Sequence, residues 1–477
     1  MLPLTTSYLE LPPLFYVRAK PVPVRSPAWV VFNDSLTSEL GLSGTHLCTD
    51  QGLAIFAGNA VPAGSEPLAL AYSGHQFGHF VPTLGDGRAV LLGEIRAQSG
   101  AHYDLQLKGS GRTPFSRRGD GRAALGPMMR EYIIGEALHA LGIPATRTLA
   151  VVRTGETVQR ERELPGGIQA RIARSHIRIG TFEYASARGD RTALQALAEY
   201  VIDRHYPELV DAEDRYLLLA QRIFDRQAAL VSAWMHVGFI HGVMNTDNVA
   251  VSGESIDFGP CAFMNRYDPS TVFSSIDQHG RYAYGAQPGI IQWNLARLVE
   301  SLIPLLHDER ERALASAQTL VDDFPSLFTK YWTTGMRAKL GLHTDEAEDG
   351  TLIEELLETM LHAHLDYTAT FRAIAGDLYF ALPEALASWH TRWSSRIDSE
   401  RNGRARQESL AAMQRVNPAV IARNHLVEQA LARGVEQGDY GSMTRLVEAL
   451  RTPFTAHESY SAIPQGDDQS YRTFCGT

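Results

Sequence analysis

One stretch limits what this chain can become: His241-Gly-Val-Met-Asn-Thr-Asp-Asn-Val-Ala-Val-Ser-Gly-Glu-Ser-Ile-Asp-Phe-Gly259. Asn248 closes a loop-like run, Val249-Ala-Val reads as a short strand, and Asp257 precedes a Phe-Gly turn. A tight hairpin would return Asp257 to the side of Asn248, nine positions on (257 − 248 = 9). One amide oxygen and one carboxylate are hard ligands, suited to a divalent ion that bridges phosphate oxygens and keeps some water. The same letters also spell an ordinary turn and a strand end, since Asn, Asp and Gly favour both. Asp-Phe-Gly alone would carry nothing. Its distance from His241 and Asn248 favours the metal pair.

That frame matches the catalytic loop of protein kinases, H-R-D-x-x-x-x-N and then D-F-G, where the Asn and the second Asp hold magnesium. One position departs from it. Val243 stands where kinases carry the base, and the spare carboxylate of the loop is Asp247, next to Asn248.

The residues upstream follow the order of a kinase small lobe. Thr83-Leu-Gly85-Asp-Gly87-Arg88 is a glycine turn entering a Val- and Leu-rich strand; its backbone amides could approach a phosphate, with Arg88 adding charge. Glycine pairs are common in hairpins, so this motif alone is weak. A second strand, Tyr103–Lys108, alternates polar and apolar residues and ends on Lys108. The segment Gly109–Arg122 holds four arginines and four glycines and repeats Gly-Asp-Gly-Arg at Asp120 and Gly121. A solvated loop is the plain reading and a local anion cradle the sharper one. Pro127 opens a helix that runs to Leu141 and stops at Gly142-Ile-Pro144. Glu131 lies on its inner side with Ile134, Leu138 and Leu141, placed to pair with Lys108; a surface Glu beside Arg130 is the alternative. Residues 147–180 read as Thr148–Val152, a polar turn, then Ile168–Gly180, which carries Arg171, Arg174 and Arg178. Alternation forbids all three arginines from sharing one site. His75 and His79 have helical metal-ligand spacing, but the glycines around them favour a structural turn over zinc.

With 477 residues and 44% apolar content, the length allows two or three domains. Forty-four Lys+Arg against 54 Asp+Glu gives −10, which argues against nucleic acid or an anionic membrane as partner of the whole protein. No run reaches the roughly 18 apolar residues of a membrane helix, and the start lacks the basic and apolar regions of a signal peptide. Three cysteines, Cys48, Cys261 and Cys475, make neither a disulfide framework nor a zinc site, so a cytoplasmic setting is expected. The expected class is α+β, a protein-kinase-like bilobal fold. Residues 1–70, rich in proline, form an extended arm; 71–185 a β-rich small lobe; 186–370 a helical large lobe; 371–477 extra C-terminal helices with a Cys-bearing tail. Helices begin at Thr192, read as an N-cap. The stripe Leu219, Ile223, Leu230, Trp234 and Val237 delivers the chain to His241, and a later helix holds Trp293, Leu295, Leu298 and Leu302.

Taken together, the motifs resemble a known family. Gly74-His-Gln-Phe-Gly78, Leu84-Gly-Asp-Gly-Arg88, Leu107-Lys-Gly-Ser-Gly-Arg-Thr-Pro-Phe-Ser116, Gly119-Asp-Gly-Arg122, Ser175-His-Ile-Arg178, His241–Asn248, Asn417-Pro and Arg423-Asn-His425 are similar to selenoprotein O and its bacterial relatives. The resemblance covers nearly the whole chain. It implies a kinase-like fold that moves AMP from ATP onto Ser, Thr or Tyr of other proteins, with ATP seated in reverse so that the α-phosphate faces the acceptor. By that resemblance Asp247 is the base, and Asn248 and Asp257 hold magnesium or manganese. Lys108, ordered by Glu131, together with Arg171 and Arg178, holds phosphates. Gly85, Gly87, Arg88, Asp120, Gly121 and Asp257 are implied as further nucleotide contacts. The family's redox residue lies three from the end, where this chain has Cys475; without a C-x-x-C, Cys261 or Cys48 could partner it only by proximity. Two other readings remain: a phosphotransferase that moves the γ-phosphoryl group with Asp247 as base, and a nucleotide-binding pseudokinase scaffold, for which Val243 argues.

Overall fold

A computed structural model describes residues 2–400, 406–464 and 471–474. The first seventy residues do more than wrap the core. Strands β1 (Tyr16–Arg18), β2 (Ala28–Phe32) and β3 (Leu68–Leu70) all enter the main sheet. Between β2 and β3 lie three short helices, α1 (Asp34–Glu39), α2 (Gly44–Leu47) and α3 (Asp50–Phe56). The prolines of this stretch fall between strands, where no ladder hydrogen bond is lost.

A small separate hairpin follows, β4 (Gly74–Gln76) with β5 (His79–Val81). The sheet resumes with β6 (Ala89–Arg96), β7 (His102–Lys108) and the two-residue β8 (Ala123–Ala124). Helix α4 (Leu125–Ala140) leads to the long pair β9 (Arg147–Gln159) and β10 (Glu163–Ala173). The order is β1-β3-β6-β7-β10-β9-β2, with β8 on β10, and neighbours are antiparallel. Leu105 and Leu107 of β7 join Val90, Leu92, Ile168, Ala170 and Ile172 in an apolar core on one side of the sheet. Period-two alternation then turns Asp104, Gln106 and Lys108 to the other side. Across the ladder, Lys108 is opposite Ala89 and Gln169, and Arg171 is opposite Gln106.

Helices dominate after the sheet: α5 (Ile179–Ser186), α6 (Arg191–His205) and α7 (Arg215–His236). A two-stranded ladder, β11 (Phe239–Ile240) with β12 (Ala262–Phe263), brackets the Asn248–Asp257 stretch. Then come α8 (Gln287–Leu306), α9 (Arg310–Lys339), α10 (Asp349–His362) and α11 (Tyr367–Ile374). The last described helices are α12 (Ala387–Asp398), α13 (Arg406–Val416), α14 (Asn424–Ala432) and α15 (Gly441–Leu450). Leu219, Ile223, Leu230 and Trp234 of α7 are buried, and α7, α8 and α9 pack on one another. No helix among the described residues is long and apolar enough to cross a membrane.

Several boundaries differ from the sequence expectation. Helix α4 starts at Leu125, two residues before Pro127, because a proline in the first turn forfeits only an N–H that has no helical partner. The stretch between Val152 and Ile168 is not a long polar turn: β9 and β10 continue through it, leaving residues 160–162 as the turn. The second strand stops at Ala173, and Ile179 and Gly180 belong to α5. Helix α6 is capped by Asp190, not Thr192; the Asp190 carboxylate accepts the Ala193 N–H at 2.9 Å.

Helix α4 is fixed from both sides through Glu136. Its buried carboxylate accepts from Arg147 Nε at 2.8 Å and from Arg451 Nη2 at 2.8 Å, joining α4 to β9 and to the segment after α15. Removing one partner of a buried pair strands the other charge. Glu136→Ala is expected to lower stability by about 3 kcal/mol; a denaturant titration with an unchanged midpoint would refute this role.

Candidate active site

Lys108 stands at the end of β7, where the strand delivers it to the interior side of α4. Its Nζ donates to Glu131 Oε1 at 2.7 Å and to Asp257 Oδ1 at 2.5 Å. Arg171, from β10, donates to the same Oδ1 at 2.7 Å, and Arg178, at the N-cap of α5, reaches Oδ2 at 2.9 Å. Three cations thus surround one carboxylate. Asp257 adopts φ 66°, a left-handed conformation that Asp tolerates better than most residues. Burial alone would raise its pKa, but Lys108, Arg171 and Arg178 hold it well below the usual carboxylate range. Arg174, one residue past the end of β10, goes elsewhere, its guanidinium 5.6 Å from the Tyr103 ring centroid.

Lys108, Arg171 and Arg178 make this cluster a set of charged donors suited to a polyphosphate. The glycine turn is wired to it through a residue that sequence reasoning missed. Gln106 donates from Nε2 to Asp86 Oδ2 at 2.8 Å, and its Oε1 accepts from Arg171 Nη2 at 2.5 Å. Asp86 lies between Gly85 and Gly87, so one amide side chain joins turn and cluster. The alternation of Asp104, Gln106 and Lys108 was the available signal, since all three share a face. At Gly85 (φ +69°) a Cβ would lie 2.3 Å from the Phe115 ring. The turn therefore rests on the loop after β7, and Thr113 Oγ1 donates to Asp86 O at 2.7 Å.

Other residues of that loop are tied to neighbouring segments. The Asp120 carboxylate accepts from Arg160 Nη1 at 2.9 Å and from the Arg122 N–H at 2.9 Å, while Gly121 O accepts the Gly111 N–H at 2.9 Å. Arg122 donates to Val22 O and Pro23 O, both at 3.0 Å, tying the loop to the N-terminal segment. Gly87 and Arg88 border the turn, and Arg88 O accepts the Gly109 N–H at 2.7 Å.

The stretch from His241 to Gly259 closes on itself. Buried His241 donates from Nε2 to Ile256 O at 2.9 Å, and Val249 bridges to Ser255 in antiparallel fashion. Asp247 is 8% exposed and its Oδ1 has no hydrogen-bond partner. Burial pushes its pKa up to about 6, against the opposing pull of Arg178, whose Nη1 also donates to Asp247 O at 2.5 Å. Asn248 donates from Nδ2 to Val243 O at 3.3 Å, which leaves its amide oxygen as an acceptor. Asn248 and Asp257 therefore offer one neutral and one firmly ionised oxygen donor, a set that fits magnesium or manganese. Among the described residues no group of three or more His, Cys, Asp or Glu could hold a metal by itself.

The β4–β5 hairpin covers this loop. The His75 N–H donates to Thr246 Oγ1 at 2.7 Å, and that hydroxyl donates to Glu183 Oε2 at 2.5 Å. His75 Nδ1 donates to Glu183 Oε1 at 2.5 Å. Asn245 Oδ1 accepts the Phe77 N–H at 3.0 Å and the Tyr282 hydroxyl at 2.6 Å. A Cβ at Gly74 would lie 2.5 Å from Asp247 Oδ1, so only glycine lets the strand pass so close to that carboxylate. Glu183 and Tyr282 were not foreseen, because nothing local in their sequence distinguishes them from helix and loop residues. Cys261 is buried, donates to Phe258 O at 3.1 Å, and has its thiol pKa pushed up to about 12 by burial. Cys48 is exposed, and Cys475 lies outside the described residues.

A carboxylate ringed by cations, with a second one buried beside it, is the equipment of phosphorus chemistry on a nucleotide. Comparison with known proteins narrows the class to protein nucleotidyltransferases. The chain belongs to the family described as "Protein adenylyltransferase SelO", whose model matches residues 2–451. It is 56% identical over 474 residues to the "Protein nucleotidyltransferase YdiU" of Anoxybacillus flavithermus, covering 99% of this chain and 98% of that one. A protein of the same name from Bacillus cytotoxicus is 54% identical over 479 residues (99% and 97%), and one from Rhizobium johnstonii 52% over 489 residues (100% and 97%).

Gln106→Leu keeps the size of the side chain but cuts the link between Asp86 and Arg171. Affinity for a nonhydrolysable ATP analogue, measured by titration calorimetry, is expected to fall about tenfold, or about 1.4 kcal/mol. Equal affinity in a folded variant would remove Gln106 from the site.

Proposed function

We propose that this chain transfers AMP from ATP to Ser, Thr or Tyr hydroxyls of other proteins, using Asp247 as the base. The observation that supports it most is the opposite tuning of two neighbouring carboxylates. Asp257 is held ionised by three cations, whereas Asp247 is pushed up to about 6 and keeps one oxygen without a partner. Carboxylates whose pKa values are driven apart are suited to different tasks. Asp247 takes the proton of the acceptor hydroxyl at its unpartnered Oδ1. Lys108, Arg171 and Arg178 bind and orient the phosphates, and Glu131 keeps Lys108 in place. Gly85, Gly87, Arg88, Asp120 and Gly121 make further nucleotide contacts. Asn248 and Asp257 would hold magnesium or manganese, which when bound neutralises phosphate charge.

In this reading the fold is the bilobal protein-kinase one. Residues 71–185 form the small lobe, joined by strands from 1–70, and residues 186–370 the large lobe, followed by the C-terminal helical extension. A net charge of −10 speaks against a nucleic-acid partner, and the unpaired thiols Cys48 and Cys261 accord with a cytoplasmic setting. The Lys108–Glu131 contact at 2.7 Å also favours a second reading, a γ-phosphoryl transferase of the same fold.

ATP labelled separately at the α and γ positions separates the two. Label from the α position alone is expected on the acceptor protein; label from the γ position alone would overturn AMP transfer. Asp247→Ala is expected to cut transfer by about 10²–10⁴-fold while ATP-analogue binding persists. Transfer at the parental rate in that variant would exclude Asp247 as the base.

A further inference from the structure

Next to the covered loop stands a cation with no carboxylate partner among the described residues. The Asp277 carboxylate accepts the backbone N–H groups of Arg281 at 3.0 Å and Tyr282 at 2.7 Å, which fixes where Arg281 emerges. Its guanidinium lies 5.0 Å from the centroid of the Trp293 indole, and its Nε has no hydrogen-bond partner. No carboxylate pairs with this guanidinium among the described residues. Arg297 lies 5.1 Å from the same indole but is paired with Glu300 at 2.6 Å. A Cβ at Gly78, in the turn of the β4–β5 hairpin, would sit 3.8 Å from Arg281 Nη2.

This corner is joined to the base by two routes. Trp293 meets the His75 ring edge-on at 5.2 Å, and the His75 N–H holds Thr246, the residue before Asp247. Tyr282, next to Arg281, holds Asn245. On the hairpin, Phe80 is 42% exposed and packs against His75, 5.0 Å between ring centroids. A stacked guanidinium is pre-oriented for a carboxylate and less strongly hydrated than an ammonium. One without a carboxylate partner among the described residues, joined to the base through Trp293, His75 and Thr246, suits an acidic visitor.

We propose that Arg281, held beside Trp293, docks an Asp or Glu side chain of the acceptor protein, so that hydroxyls flanked by acidic residues are selected. This rests on the assignment of Asp247 as the acceptor-side base. The occupant is an extended acidic segment of the substrate protein, held by charge complementarity.

The test uses the full chain with manganese and a nonhydrolysable ATP analogue, and three fluorescein-labelled tyrosine peptides flanked by Glu, Ala or Lys. Fluorescence anisotropy is expected to show the Glu peptide binding about tenfold or more tighter than the Lys peptide. Arg281→Glu should reverse that order and leave affinity for the analogue unchanged. Equal binding of the three peptides, no binding of any, the same ranking in Arg281→Glu, or a loss confined to analogue affinity would each overturn the proposal. If circular dichroism shows Arg281→Glu unfolded, Arg281→Gln must flatten the preference, and a preference kept in full overturns the proposal. The readout is binding, so it is separate from transfer: an acidic preference without α-label transfer would sustain this surface and remove the AMP chemistry.

Discussion

The grip of Lys108, Arg171 and Arg178 on Asp257 is the contact on which the remaining geometry depends. Each cation comes from a different place: the end of β7, the last residues of β10 and the N-cap of α5. Asp257 comes from the far side of the Asn248 loop. One carboxylate therefore ties the sheet to the helical part of the chain. Such a buried cluster is costly to desolvate and survives because its charges are multiply bonded. The same three cations are the charged donors an anionic ligand would meet. Stability and ligand affinity are here drawn from the same side chains.

Around Asp247 the arrangement is of another kind. Neutral donors and short polar links, Thr246 to Glu183 and Asn245 to Tyr282, hold the loop, while the Asp247 carboxylate itself is left short of partners. The hairpin lies on the loop through backbone N–H groups, which are the least mobile donors a protein has. Position is specified by the neighbours, and the carboxylate is kept free for chemistry. Preorganisation of this kind places the work in the fold and not in the reacting group.

Much of this was legible in the sequence where spacing and alternation are local. The Lys108–Glu131 contact followed from a strand ending in lysine and a helix whose inner face carries Glu131. Arg171 and Arg178 meet although strand alternation would part them, because the strand ends at Ala173 between them. Gln106 was passed over because an uncharged amide in an alternating strand looks like solvent-facing polarity until its partners, Asp86 and Arg171, are seen. Glu183 was missed because its partners, His75 and Thr246, lie far away in the chain. The strands among residues 1–70 were hidden for a related reason: three to five residues between prolines form a strand only when a distant edge offers hydrogen bonds. The polar continuation of β9 and β10 reads as a turn in sequence because pairing with each other, not apolar content, holds it straight.

Those early strands have a further consequence. Both outer borders of the sheet are made by them, β1 on one side and β2 on the other, and β2 pairs Ala28 with Arg153 far downstream. Strand β1 finds its partner in nearby β3, whereas β2 has none until β9 has been made. For that interval the nascent sheet has an unfinished rim, and closing it joins residues more than a hundred positions apart, a slow step by the usual relation between loop length and rate. Strand β2 is synthesised before most of the sheet and put in place after it.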